Sequence, residues 1–517
     1  MTTTRPAGVT SGEASEPPAS LTAQLAAWAH AVTYGDIPAA TLAAARSQLI
    51  SNLAAVRASL RHPAGRAIVA AYGPPLQADP ARSACVLAAL ASALDFDEVA
   101  YAGHVSTGGV NVAIAHAGLD RLDGRALLAT IVTANECAAR ITAATILSPF
   151  FRGQTNTHCH LAGAAAARLR ARDAAPGEWV AGLGLALGTL PVPLHHAVVT
   201  SDVKALSAAA AVRMALDGCD GAAHGLAGPA TVLEHPEGLL AALSAVPLPE
   251  IVTTGLGHRW HTDTLTYKRF PGSAYLHAAF DCAERLHEWL QGRLGAVDPS
   301  RVRRVVVHGS LLTWQMEQKV ARDLDGPRTN VSAATLSVGY GVATLLMTGA
   351  FGPEDLTPSA LADPERWALV EKVVVEHDMD LSIRMAQATS PLGESLRRAG
   401  DRALDWPEFV RWTGDAAPGL LAALGGPEET FEQATMAIGA RVTVELADGA
   451  SAAESRDAFT GSAGPATRRD HGAIVGRKFL STGGPRDVLV ELERLDALGP
   501  DQVVAVLARA LEEPPEP

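Results

Sequence analysis

Four stretches of the sequence gather residue types that can move protons or hold an anion. In "ALDFDEVAYAGHVSTGG" (93–109), Asp95, Asp97 and Glu98 end an apolar helical pattern and His104 follows in a glycine-flanked loop. Carboxylates at a helix C-terminus meet the negative end of its dipole. The loop is therefore either a solvated face or a carboxylate–imidazole pair for acid–base chemistry held on a rigid scaffold. In "FRGQTNTHCHLAGAAAARL" (151–169), Asn156 or Thr157 can cap the alanine-rich helix that follows, leaving its first amides free for an anion. His158 and His160 stand two apart, about 200° around a helix, so regular geometry does not let them share one ion, and no metal is expected. In "HHAVVTSDVKALSAAAAVRMAL" (195–216), Ser201 or Asp202 can cap a helix whose first turn carries Lys204. A cation there opposes the dipole, so Lys204 either faces solvent or meets an anion. Finally, "YKRFPGSAYLHAAFD" (267–281) sets Lys268 and Arg269 beside a Phe-Pro-Gly break, with His277 on the helix beyond it. That is an ordinary junction or a rim that holds something negative.

The elements that must position these groups follow from pattern. From about 20 to 263, apolar residues recur at three- and four-residue spacing, rich in Ala and Gly, which predicts helices packed closely backbone to backbone. Near 264 the texture changes. "RVRRVVVHGS" and "ARVTVELADGAS" show β-branched alternation ending in Gly or Asp-Gly turns, with "TLSVGYGVATLLMTGAF" as a helix and "PERWALVEKVVVEHDMDL" as a helix and then a strand between them. After about 465 the pattern is helical again. The expected organisation is a tail over 1–20, a helical domain over 21–263, an α+β lid over 264–465, and a segment over 466–517 that docks back on the helical domain.

Bulk properties exclude several classes. A chain of 517 residues with 48% hydrophobic and 19% charged residues can bury a sizeable core. A net charge of −13 argues against nucleic-acid binding, while leaving room for a local basic pocket for an acidic small molecule. The five cysteines have no CxxC pair or Cys/His ladder, which suits a reducing cytoplasm and supports neither disulfides nor structural zinc. The first twenty residues lack an apolar signal core, and no window is apolar enough for a membrane span. Short glycine clusters such as "GLGLALG" lack the strand–turn–helix setting of a nucleotide loop.

Read in order, "DFDE…H", "GAAAARL", "SDVKALSAAAAVRMALDGCDGAAHGLAGPATVLE", "YKRFPGSAYLHAAFD", "ATLSVGYGVATLLMTGAF" and "VTVELADG…GRKF" resemble the MmgE/PrpD family from about residue 20 to 510. That family includes 2-methylcitrate dehydratase and cis-aconitate decarboxylase. The resemblance implies a mainly α protein with a smaller α+β lid, the helical domain completed by the C-terminal segment. It also implies an active-site cleft between them, a homodimer, and no metal or organic cofactor. By position, Asp95 matches the family's first acidic residue, Lys204 its lysine, His104 its loop histidine and His277 the histidine after the Phe-Pro break. His277 and Lys268 are expected to face the cleft. A threonine expected four residues after the first aspartate is Val99. A histidine expected before the alanine-rich helix aligns with Gly153, with His158 as its substitute. A lid tyrosine is replaced in its neighbourhood by Arg328 or Trp314.

The implied activity is a cofactor-independent lyase, of dehydratase or decarboxylase type, on a small carboxylated substrate. Lys204 and the helix start near 157 would hold carboxylate, with Lys268, His158 and Arg328 as further contacts. His104 or His277 would move a proton, and Asp95 would orient an imidazole or act as the second acid–base group. The alternatives are an isomerase, epimerase or cyclase working by proton transfer in the same pocket, or a non-catalytic family member.

Overall fold

A computed structural model describes residues 19–101, 103–147 and 157–512. Of the sequence expectations, the first eighteen residues of the tail, Gly153 and the candidate cap Asn156 lie outside the described residues. The N-terminal half is a stack of helices: α1 (Leu21–Ala31), α2 (Ala39–Arg61), α3 (Pro63–Tyr72), α4 (Pro80–Ala93), α5 (Val105–His116), α6 (Gly124–Thr145), α7 (Thr157–Ala171), α8 (Pro176–Gly188), α9 (His195–Thr200) and α10 (Val203–Ala223). Caps act where the sequence supplies them. Asp79 accepts from the Ala81 amide at the start of α4, and Asp123 from the Ala126 amide at the start of α6.

Small residues bring these helices close, as their composition predicts. A Cβ placed on Gly108 of α5 would lie 2.2 Å from the carbonyl oxygen of His160 in α7, and one on Gly109 would lie 2.8 Å from Ala134 Cβ in α6. The α5–α7 contact therefore sets where His160 sits. Gly108→Ala should force the helices apart and cost about 1–3 kcal/mol of stability, as overpacking does. Urea melts of the variant check this, and an unchanged midpoint would show that the contact gives way freely.

The longer strands all fall within 302–456. Two short strands, β1 (Val99–Ala100) and β2 (Leu265–Thr266), pair antiparallel beside the helical stack. β3 (Val302–Gly309), β4 (Val373–His377), β5 (Ala440–Leu446) and β6 (Ser451–Arg456) form a mixed sheet in the order β4-β3-β5-β6. β3 pairs parallel with β4 (Val305 opposite Val373) and antiparallel with β5 (Val307 opposite Val442). The β5–β6 hairpin turns at the predicted Asp-Gly, with Gly449 at φ +89°, a conformation that favours glycine. The helix His277–Leu294 packs on this sheet, with the Cys282 thiol donating to the Ala440 carbonyl of β5.

The chain stays with the helices beyond 264. Tyr267 donates its hydroxyl to the Ala44 carbonyl, and the Gly272 amide donates to the carbonyls of Leu94 and Asp95. The C-terminal helix Pro465–Ser481 returns to pack on α2, as the sequence pattern suggests. Among the described residues, no helix is long and apolar enough to cross a membrane.

Candidate functional site

The acidic loop after α4 is not a solvated face. Asp95, Asp97 and Glu98 are all buried. Asp95 has φ +50°, a left-handed conformation that costs an L-residue roughly 1–2 kcal/mol. Contacts from three directions hold it there. Lys268 Nζ donates to its carbonyl at 2.8 Å and to Oδ1 at 2.7 Å, the Gly272 amide also reaches the carbonyl, and Lys204 Nζ lies 3.0 Å from Oδ2. Burial opposes ionisation of Asp95, but Lys204 and Lys268 outweigh it and hold the carboxyl well below its usual range.

The next carboxylate serves the loop histidine. His104 Nδ1 lies 3.1 Å from both oxygens of Asp97, and Thr107 Oγ1 donates to Asp97 Oδ2 at 2.9 Å. Burial again works against the charge, and the contacts with His104 reverse it, so the Asp97 carboxyl is also lowered. A carboxylate on Nδ1 favours that nitrogen as the protonated one, while Nε2 lies 3.9 Å from Asp95 Oδ1, beyond hydrogen-bond distance. Thr107 supplies a hydroxyl to this loop, whereas Val99, at the position where a threonine was expected, is paired with Thr266 in β1–β2.

These groups open on a cavity of about 130 Å³. Asp95, Asp97, His104, Thr107, His160, His195 and Lys204 line it, and Val198, Val199, Met316 and Leu336 face the same space. The Lys204 side chain is 13% exposed while its Nζ is buried, and its approach to Asp95 lacks the angle of a hydrogen bond, so its donors remain for a ligand. Burial lowers its pKa, Asp95 partly offsets this, and Lys268 adds to the lowering. His160 meets His104 edge-on with ring centroids 6.3 Å apart. Burial and then His104 hold its pKa down to about 3, and its Nδ1 has no hydrogen-bond partner.

The structure thus brings Asp95, His104 and Lys204 together and redistributes the other expected residues. Lys268 is fully buried behind Asp95, so the anion it meets is the protein's own carboxylate, and it does not face the cavity. His158 points the other way from His160, as residues two apart on a helix must. It contacts Thr145 Oγ1 at 3.1 Å, and burial lowers its pKa to about 4. His160, set aside in the sequence reading as half of an unworkable metal pair, takes the place proposed for His158. The Thr157 hydroxyl donates to the Pro191 carbonyl instead of capping α7. Arg328 is 81% exposed and paired with Asp325, away from the cavity, and Trp314 packs against His377. In the neighbourhood of the expected tyrosine, Met316 lines the cavity.

His277 is a core residue and not an acid–base group of the cavity. It is 1% exposed, its Nε2 lies 3.3 Å from the Gly272 carbonyl, and Phe270, Phe280 and Phe459 surround it. Burial, reinforced by Lys268, lowers its pKa to about 3. The unfolded chain, with its ordinary value near 6.5, therefore binds the proton first. Its contribution to stability is full above about pH 6.5 and is lost as pH falls towards 3, by about 1.4 kcal/mol per pH unit. His277→Phe should flatten the decline in stability below pH 6.5 by about one such group. A variant as steep as wild type would show that His277 is protonated in the fold.

Lys478, in the "GRKF" of the C-terminal helix, was not singled out by the sequence reading. Its Nζ donates to the Phe96 carbonyl at 2.6 Å, to Ser51 Oγ at 2.8 Å and to Glu98 Oε1 at 3.2 Å, so it grips the peptide between the two site aspartates. Burial raises the Glu98 pKa and lowers that of Lys478, each offset by the other. Lys478→Met should cost about 3–5 kcal/mol, because it leaves Glu98 buried and unpaired, and adding Glu98→Gln should recover part of that loss. Chemical denaturation of the single and double variants measures both, and a single variant within 1 kcal/mol of wild type would remove Lys478 from this role.

Asp95, Asp97 and His104 are close enough to hold a cation between them. However, both Asp95 oxygens already face lysine ammonium groups, which oppose a metal ion there.

A helical stack closed by its own C-terminus, a small mixed sheet, and an Asp–His–Lys cavity beside the point where the chain leaves the helices together define a recognisable class. The chain matches the MmgE/PrpD N-terminal domain over residues 23–251 and the MmgE/PrpD C-terminal domain over residues 270–402, and it belongs to the MmgE/PrpD family. No curated protein matches it.

Proposed function

We propose that the protein is a lyase that eliminates water from a small carboxylated substrate by proton transfer at the Asp97–His104 pair. The family includes dehydratases, which supports an elimination. The observation that carries the reading is His104 itself, oriented through Nδ1 by Asp97 and bordering a cavity that also presents the Lys204 ammonium. Lys204 holds the substrate carboxylate. The neutral form of His104 takes the proton from the adjacent carbon through Nε2, and the C–H electron pair becomes the new C=C bond as the β C–O bond breaks. The departing hydroxide takes the proton from the His104 imidazolium and leaves as water, so atoms and charge balance. His160, held neutral, hydrogen-bonds the departing oxygen. No metal enters the step.

Burial holds the His160 pKa down to about 3, so His160 is not an acid for the leaving group, and this favours a second reading in which His104 returns the proton to carbon as an isomerase would. Incubation with a panel of 3-hydroxy acids, followed by mass spectrometry, separates the two. A loss of 18 mass units from an acid supports elimination. Inversion or double-bond migration at constant mass supports the second reading, and no change in any acid overturns both.

A further inference from the structure

The geometry points to a substrate with a single carboxylate and a compact hydrocarbon remainder. This rests on the proposed function only for which carbon reacts, since the recognition argument concerns binding alone. The cavity is two-faced. Lys204, two aspartates, three histidines (His104, His160 and His195) and Ser92, Ser207 and Ser273 give it polar lining, while Val198, Val199, Met316 and Leu336 present only apolar side chains. Tyr275 adds no free hydroxyl, because its OH donates to the Leu336 carbonyl at 2.9 Å.

Charge sets the limit. Among the described lining residues Lys204 is the one lysine or arginine, against the carboxylates of Asp95 and Asp97, and burial lowers the pKa of the lining imidazoles His160 and His195. The nearest further cation, Lys268, is fully buried and holds the Asp95 carbonyl and carboxylate. Arg328, the other expected anion contact, is exposed elsewhere. One substrate carboxylate can take the open donors of Lys204. A second would find no further lysine or arginine among the described lining residues, and would meet neutral or apolar side chains or an aspartate, none of which offsets its charge. Size agrees: a cavity of about 130 Å³ corresponds to roughly four waters of liquid volume and falls short of the ~300 Å³ at which drug-sized pockets begin. The four apolar residues then hold the hydrocarbon end, and Lys204 fixes the carboxylate next to His104.

The test is a binding titration of the full chain, by calorimetry or saturation-transfer NMR, with isobutyrate and 3-methylcrotonate against succinate, tricarballylate and citrate. The monocarboxylates should bind at least ~100-fold more tightly than the triacids, as uncompensated like charges imply. Lys204→Met should weaken the monocarboxylates at least tenfold. Met316→Lys, which adds a cation to the apolar wall, should improve succinate at least tenfold, provided its circular dichroism matches wild type. If that variant does not fold, the wild-type series decides alone. Triacids that bind as tightly as the monoacids, monoacid binding indifferent to Lys204, or no monoacid binding at tens of millimolar would each overturn the inference. Monoacids that bind but are never turned over would leave it standing and count against the lyase reading. Triacids bound and dehydrated would do the reverse.

Discussion

His104→Gln should lower kcat/KM for any acid the wild type turns over by ~10²–10⁴-fold, the range expected for loss of a positioned general base. Glutamine keeps a polar side chain of similar reach that can still hydrogen-bond Asp97, but it cannot accept and release a proton. The fold should survive, since the His104 side chain is 25% exposed and its partner Asp97 keeps the Thr107 hydrogen bond. Ground-state binding of a carboxylate should change little, because Lys204 remains. A loss confined to kcat with KM nearly unchanged is the expected signature. A variant that keeps more than a tenth of wild-type activity would remove His104 as the base, leaving His160 and His195 as the imidazoles lining the cavity.

Lys204→Met should cost about 2–4 kcal/mol in kcat/KM, roughly 30- to 1000-fold, by removing the charge-assisted contact to the substrate carboxylate. From sequence alone, a first-turn lysine that opposes the helix dipole would be removed at no cost to the fold. The ion pair with Asp95 changes that expectation. Asp95 keeps Lys268 and His104 but loses the largest of the three neighbouring charges that lower its pKa. Its depressed pKa contributes stability above the unfolded value near 3.9, which is lost as pH falls through the lower folded value. Without Lys204 the folded pKa of Asp95 rises, so the variant should lose the Asp95 contribution at a higher pH than wild type and should be less stable than wild type at neutral and at acid pH alike. Denaturation at pH 7 and at pH 3 measures this. Equal stabilities at pH 7 would show that the Asp95–Lys204 pair contributes nothing to the fold.

The fold was largely legible in the sequence because its signals are local. Helical periodicity marked the stack before 263, β-branched runs marked β3 and β5, and Asp448-Gly449 marked the hairpin turn. Asp95, His104 and Lys204 were legible too, each by its type and its place at the end of an element. The misplaced residues share one cause: a partner distant in sequence. Lys268 looks like a free cation beside a break until Asp95, 173 residues earlier, is seen to hold it. His277 looks poised on a helix until three phenylalanines close around it. Between His158 and His160, periodicity shows that they face apart but not which one faces the cavity. That is decided by Gly108, whose missing side chain lets α7 press against α5. Lys478 carried no signal of its own, because its acceptors on Ser51, Phe96 and Glu98 converge only once the C-terminal helix has returned to α2.

The most direct test of proton transfer at the Asp97–His104 pair is deuterium exchange. Wild type and His104→Gln are incubated in heavy water with the small monocarboxylic acids that bind, and label at the carbon next to the carboxylate is followed by NMR. The account predicts that wild type washes deuterium into that position of at least one acid and that the variant does so at least ~100-fold more slowly. Exchange that is as fast in His104→Gln as in wild type, or that is absent from every acid bound at Lys204, would contradict it.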